Sequence, residues 1–125
     1  MEEILVIAEH RQGSFREITF EQLDLARQAG ALKNLSVTAV VLGMSAADAG
    51  RLRGVCDRVL YSDNARFADY SAPDYLAALS AVILSRRPRL IVTGHTAQGM
   101  DLAPVLSLRT GLPLVTDCLG IEWSK

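Results

Sequence analysis

Apolar residues in this chain gather in short dense runs with little alternation. ILVIA at 4–8, VTAVVLG at 37–43, RVLYS at 58–62 and LIVTG at 90–94 are rich in branched side chains. Such runs predict parallel strands buried on both faces. A weaker fifth, LPLVTD at 112–117, follows the last helical segment. The stretches between carry helix start signals. Thr19 with Gln22, Ser45 with Asp48 and Ser71 with Asp74 each match the capping box, in which a hydroxyl and a side chain three residues on satisfy open amides reciprocally. After Ser71, the apolar positions Tyr75, Leu76, Leu79, Val82 and Ile83 share one helical face, and Pro88 ends the run after Arg86 and Arg87. A fourth helix is expected to start between Gly99 and Asp101 and to end near Gly111, because Pro104 is tolerated only near a helix start.

Strict alternation of strand and helix with short connections predicts an α/β fold. The expected form is a three-layer α/β/α sandwich around a mostly parallel five-stranded sheet, in the order 3-2-1-4-5, as one domain over residues 1–125. In that order strands 1 and 4 flank the reversal of winding, and ligands of such sheets sit at the carboxyl ends of those strands. Glu9 and His10 follow strand 1; Gly94, His95, Thr96, Gly99 and Asp101 follow strand 4.

Composition narrows the function. Half of the residues are hydrophobic and 22% are charged, and no apolar stretch approaches the roughly 20 residues that span a bilayer. The first residues, MEEILVIAEH, lack the basic and long apolar regions of a secretory signal, so a first strand in the cytoplasm is expected. With 13 basic against 14 acidic residues, nucleic acid is not an expected partner. Cys56 and Cys118 have no metal-type spacing and read as reduced, unreactive thiols.

The stretch TGHTAQGMD at 93–101 is the chemically richest. Its glycines and the following helix start resemble a backbone phosphate cradle. Asp101, placed at that helix start, would repel a phosphate, and neither a P-loop nor GxGxxG spacing is present. A strand-to-helix turn, capped by Asp101 or by the glycines, is the preferred reading. His10 and His95, with Glu9 and Asp101 in reach, lack the paired spacing of a zinc site. No GxSxG-type turn supplies a nucleophile for a histidine base. Arg86, Arg87 and Arg89 fall at the opposite edge of the sheet, where a helix dipole favours them. Trp123 is equally a candidate interface anchor and a residue packed against the domain's own surface.

Read together, ILVIAEHRQGSF, GVCDRVLYSDN at 54–64, YSAPDYLAALSAVI at 70–83 and above all GHTAQGMDLAPVLSLRTGLPLVTDC at 94–118 resemble the amino-terminal domain of the electron transfer flavoprotein α subunit. Thr96, Gly99, Asp101, Leu102, Ala103 and Pro104 match that family's G-x-T-x-x-G-x-D-L-A-P pattern, and Gly111, Leu112 and Asp117 its G-L-x-x-x-D. The resemblance implies an adenine-nucleotide α-hydrolase-like sandwich. It also implies an α/β heterodimer that carries electrons from flavin dehydrogenases, often the acyl-CoA dehydrogenases of fatty acid β-oxidation, to a quinone reductase or another acceptor. FAD is then held by a separate carboxyl-terminal domain, absent from this chain, which ends at IEWSK. In β subunits the same crevice takes AMP, or a second flavin in bifurcating relatives; in the α domain it is generally empty, in keeping with Asp101.

The expected role is therefore an electron-carrier component without catalytic residues, metal or cofactor of its own. It packs on the β subunit, and an exposed apolar patch marks the missing partner. A homodimer is the alternative assembly for the isolated domain. A rival reading is a universal-stress-like module that binds AMP or ATP through Glu9, His10, Gly94, Thr96 and Gly99. A third is a hydrolase that uses His95.

Overall fold

The structure is a computed structural model and describes residues 2–115. Strand β1 (Glu3–Ile7) leads into a small hairpin of β2 (His10–Arg11) and β3 (Ser14–Phe15), then helix α1 (Glu17–Lys33). Strand β4 (Ser36–Leu42), helix α2 (Ala46–Ala49) with a following 3-10 turn, and β5 (Arg58–Ser62) come next. Helix α3 (Ala72–Arg86), β6 (Leu90–Val92), α4 (Ala97–Thr110) and β7 (Leu114–Val115) complete the described chain. The main sheet runs β5-β4-β1-β6-β7 with every pair parallel. β1 lies at its centre, between the first and second halves of the winding.

Alternation along the buried strands divides the core in two. Ile4, Val6 and Ala8 join Val37, Ala39 and Val41 beneath α1 and α2, where Leu23, Ala26 and Ala49 pack. Leu5 and Ile7 join Val40, Leu42 and Ile91 beneath α3 and α4, against Tyr75, Leu79, Ile83, Leu102 and Leu106. Each fully buried aliphatic side chain of this kind contributes about 1.5–3 kcal/mol. The two clusters make the three-layer α/β/α sandwich anticipated from the apolar runs. Asp117, Cys118, Trp123 and the end of the fifth apolar run lie outside the described residues.

Three local expectations are corrected. Thr19 does not cap α1; the helix starts at Glu17, and the Thr19 hydroxyl is buried, donating to the Glu9 carbonyl (2.9 Å) and accepting from the Glu9 amide (2.8 Å). A tertiary pair of hydrogen bonds to Glu9, just past the end of β1, has displaced the local cap. Ser71 occupies the cap position of α3, but its side chain makes no cap hydrogen bond; Ser45, by contrast, accepts from the Asp48 amide as expected. Helix α4 starts at Ala97, earlier than the Gly99–Asp101 start, because Thr96 caps it by accepting from the Gly99 amide (3.0 Å). Asp101 is therefore not in the first turn, and Pro104 falls inside the helix. The end is as expected, with Gly111 in the left-handed conformation. The hairpin has no counterpart in the apolar pattern: Gln12 and Gly13 both take positive φ (52° and 79°), as a type I′ two-residue turn requires.

At the amino edge of the sheet, buried Glu3 is held by Arg86 from the end of α3, Nε to Oε1 at 2.6 Å and Nη2 to Oε2 at 3.0 Å. The Thr38 hydroxyl of β4 donates to Oε2 at 2.6 Å. Burial pushes the Glu3 carboxyl up, but the hydrogen bonds from Arg86 and Thr38 and the guanidinium charge outweigh it and leave it below the usual range. A carboxylate lowered in the folded state stabilises fully above its unfolded value and loses that contribution as pH falls through the folded one.

Arg86→Met leaves a buried charge without its cation, and chemical denaturation at pH 7 is expected to show a loss of about 3 kcal/mol. The gap to the parent chain narrows as the pH falls, first as the uncompensated Glu3 of the variant, pushed up by burial, takes a proton, and then as the parent passes through its lowered folded value; a gap that does not change with pH contradicts the assignment. Gly99→Ala tests the α4 start. In an ordinary helix this change stabilises by about 1 kcal/mol, but a Cβ on Gly99 would lie 1.9 Å from the Gly94 carbonyl oxygen. A net loss of about 2 kcal/mol is expected instead, and any gain in melting temperature refutes the close approach.

Candidate functional site

The carboxyl ends of β1 and β6 meet the start of α4, and Glu9 is the residue on which they converge. It is 2% exposed, with the backbone bound at both its amide and its carbonyl by Thr19 of α1. The Arg16 amide also donates to the Glu9 carbonyl at 2.9 Å. Its carboxylate faces α4. The Thr96 hydroxyl donates to Oε2 at 2.7 Å, and the same hydroxyl oxygen accepts from Gly99. Arg16 Nη1 approaches Oε1 at 3.6 Å, an ion pair too long for a direct hydrogen bond, and Oε1 is buried with no hydrogen-bond partner among the described residues.

Of the residues singled out around this loop, Glu9, Gly94, Thr96 and Gly99 are brought together. A Cβ on Gly94 would lie 2.9 Å from Glu9 Oε2 and 2.8 Å from Ile18 Cγ1, so the carboxylate fits only against bare backbone. His10 is turned away: its Nε2–H donates to the Leu42 carbonyl at the end of β4, while Nδ1 is buried without a hydrogen bond among the described residues. His95 is exposed in the β6–α4 turn. Asp101 points outward and accepts from the Tyr70 hydroxyl at 2.7 Å. The negative charge that meets the helix start is thus supplied by Glu9 and not by Asp101, a correction to the sequence argument with the same electrostatic sense.

Sequence reasoning did not single out Arg16, Thr19 or Tyr70 as members of this site. Thr19 was visible only as a hydroxyl before a helix, the very signal that suggested a cap. Tyr70 packs edge-on against Tyr75 (centroids 5.0 Å apart), which packs in turn against Phe67 at 5.8 Å. Burial, then the hydrogen bond and charge of Asp101, push the Tyr70 hydroxyl up, so it stays a donor at neutral pH. Burial and the Asp69 charge push Tyr75 up to about 12. Its hydroxyl donates to the Phe67 carbonyl at 2.9 Å.

An open cleft of about 890 Å³ lies beside this cluster. Arg11 and Arg16 line the hairpin side, Asp69 and Tyr70 the loop before α3, and Gln98 and Asp101 the first turns of α4. A second hollow of about 520 Å³ lies between α2 and the edge strand β5, lined by Arg53, Arg58 and Cys56 among others. Burial pushes the Cys56 thiol up, and it donates to the Leu52 and Arg58 carbonyls, which disfavours a nucleophilic thiolate. Among the described residues no three His, Cys, Asp or Glu side chains converge as a metal site requires, and no helix is long and apolar enough to cross a membrane.

Comparison with known proteins now adds to this geometry. The family described as "Electron transfer flavoprotein domain" matches residues 4–125. An electron transfer flavoprotein subunit alpha of Thermoanaerobacterium thermosaccharolyticum is 30% identical over 96% of this chain and 37% of its own length. The subunit alpha of Clostridium acetobutylicum is 27% identical over 95% of this chain and 36% of its own. The chain thus spans little more than a third of these curated relatives. Among solved structures, a chain titled a macrolide-efflux protein from Streptococcus pneumoniae superposes with a TM-score of 0.54 at 16% identity, covering 92% of this chain and 44% of that one, which is a likeness of fold alone. The family match across almost the whole sequence, with α-subunit relatives aligned along it, shows that this chain belongs to the electron transfer flavoprotein domain family, as an amino-terminal domain of the α-subunit type.

Proposed function

We propose that the chain is a partner-binding domain of an electron transfer flavoprotein α subunit. It supports electron transfer from flavin dehydrogenases to a downstream acceptor and performs no catalysis itself. The observation that carries this reading is the family match over residues 4–125, aligned with subunits named for electron transfer. In the longer protein it packs against a β subunit, in the cytoplasm, and a separate carboxyl-terminal domain holds FAD.

The residues at the crevice do not fit a flavin held by this chain. A pyrophosphate at the start of α4 would meet the Glu9 carboxylate, already seated on the Thr96 hydroxyl and fixed through its backbone to α1. Two like charges within about 4 Å in a partly buried site repel by several kcal/mol. The same repulsion disfavours the AMP- or ATP-binding module. What the domain does is rigid positioning: α1, α4 and the central strand are joined at Glu9.

A surface for the partner is suggested by α4. Met100, Pro104 and Leu108 are exposed and recur every four residues along one helical face, Met100 at 54% and Leu108 at 87% exposure. Leu84 of the neighbouring α3 is also exposed. Apolar stripes of this kind, rimmed by Asp101, Ser107 and Arg109, suit a protein interface.

Mixing the chain with an electron transfer flavoprotein β subunit is expected to give a complex that persists at micromolar concentration in size-exclusion chromatography. Leu108→Lys should weaken it at least about tenfold, or about 1.4 kcal/mol. A chain that stays alone, or a complex indifferent to Leu108→Lys, counts respectively against the assembly and against the α4 face. Calorimetry of the parent chain with AMP and ATP is expected to show no saturable heat; micromolar binding would favour the nucleotide module.

A further inference from the structure

We infer that the outer face of α3, joined to that of α4, binds a second copy of this chain in a two-fold pair that sets α3 antiparallel on α3. The pair forms without a β subunit, so testing the chain alone keeps its failure distinct from failure of the partner-binding reading.

The two helical layers of the sandwich differ in what they show to water. On α1 the exposed positions include Glu17, Glu21, Asp24, Arg27, Gln28 and Lys33, an ordinary solvated face. On α3 no charged residue stands between Asp74 and Arg86. Tyr75, Leu79 and Ile83 enter the core, yet the opposite side, with Pro73, Ala77, Ala81 and Leu84, is also apolar and is exposed. A helix that is apolar all round is normally buried all round. α4 packs beside α3 and continues the surface, with no charge from Leu102 to Leu108.

Size and symmetry select the occupant. Helices of 15 and 14 residues are about 21 Å long and together span about 20 Å, so the joint face measures about 400 Å² in projection. Two copies joined there bury roughly 1,000 Å², the level at which an interface is transient and its dimer weak. α4 alone offers half of that, so α3 has to take part. A two-fold axis crossing the helices near Ala81 makes the face complementary to itself. Leu84 of each copy then lies over Ala77 of the other, a large side chain on a small one, and Ala81 meets its own counterpart on the axis. The same axis brings Asp74, in the first turn of one α3, to Arg87 at the end of the other, twice over. Neither residue is in an ion pair among the described residues.

The test is sedimentation equilibrium of the chain alone up to about 500 μM, where a face of this size is expected to give a dimer with a dissociation constant on the order of 100 μM. Ala81→Arg, which sets two like charges on the axis, should weaken it at least about tenfold. Leu32→Glu, on the exposed side of α1, should leave it unchanged. Both positions are exposed, so both variants should melt within about 3 °C of the parent. Asp74→Arg and Arg87→Asp should each weaken self-association, and an equimolar mixture of the two should recover it at least about fivefold over either alone. A chain that is monomeric throughout overturns the inference, as does a dimer indifferent to Ala81→Arg, a dimer lost with Leu32→Glu, or a mixture that recovers nothing. A monomer whose complex with a β subunit is broken by Ala81→Arg overturns it too, because the face then belongs to that partner.

Discussion

A buried acid whose backbone is held by one helix and whose carboxylate is held at the start of another is the constraint around which this domain is arranged. Glu9 leaves the end of the central strand, fixes its backbone to Thr19 of α1 and gives its side chain to Thr96 at the start of α4. Burying such a charge costs several kcal/mol, which only well-placed donors offset. The carboxylate takes a hydrogen bond from Thr96 and an ion pair from Arg16, while Thr19 holds the backbone, so α1 and α4 are tied to the same residue. The Thr96 hydroxyl links cap and carboxylate, accepting from Gly99 and donating to Glu9.

β1 carries the same device at its other end. Glu3 is held by Arg86 of α3 and Thr38 of β4, so the strand reads as an apolar segment bracketed by two buried acids. The apolar residues between them fill both cores. On the proposed reading, an internal carboxylate at the positive helix end disfavours a nucleotide there and moves the role to outer surfaces such as the α4 stripe.

Much of this was legible in the chain. Dense runs of Val, Ile and Leu predict a parallel sheet buried on both faces because no polar face survives in them, and alternation with helical segments predicts the layers. The end of α4 at Gly111 and the cap at Ser45 followed from local chemistry, and the spacing around Thr96 and Gly99 carried the family resemblance. Tertiary contacts hid the rest. Thr19 carries the local signature of a cap, yet its hydroxyl goes to Glu9, ten residues back. Thr96, passed over as a cap, starts α4 early and carries Asp101 out of the first turn, so the expected repulsion belongs to a different acid. Arg86, legible as a dipole-favoured charge in a last helical turn, reaches 83 residues back to Glu3. Long-range pairs of that kind leave no periodic trace.

The most direct measurement of this account is a double-mutant cycle between Glu9 and Thr96, using Glu9→Gln, Thr96→Val and the two together in urea denaturation at neutral pH. A charge-assisted bond that joins β1 to α4 predicts a coupling of about 1.5–3 kcal/mol. Losses that add to within about 0.3 kcal/mol would contradict it.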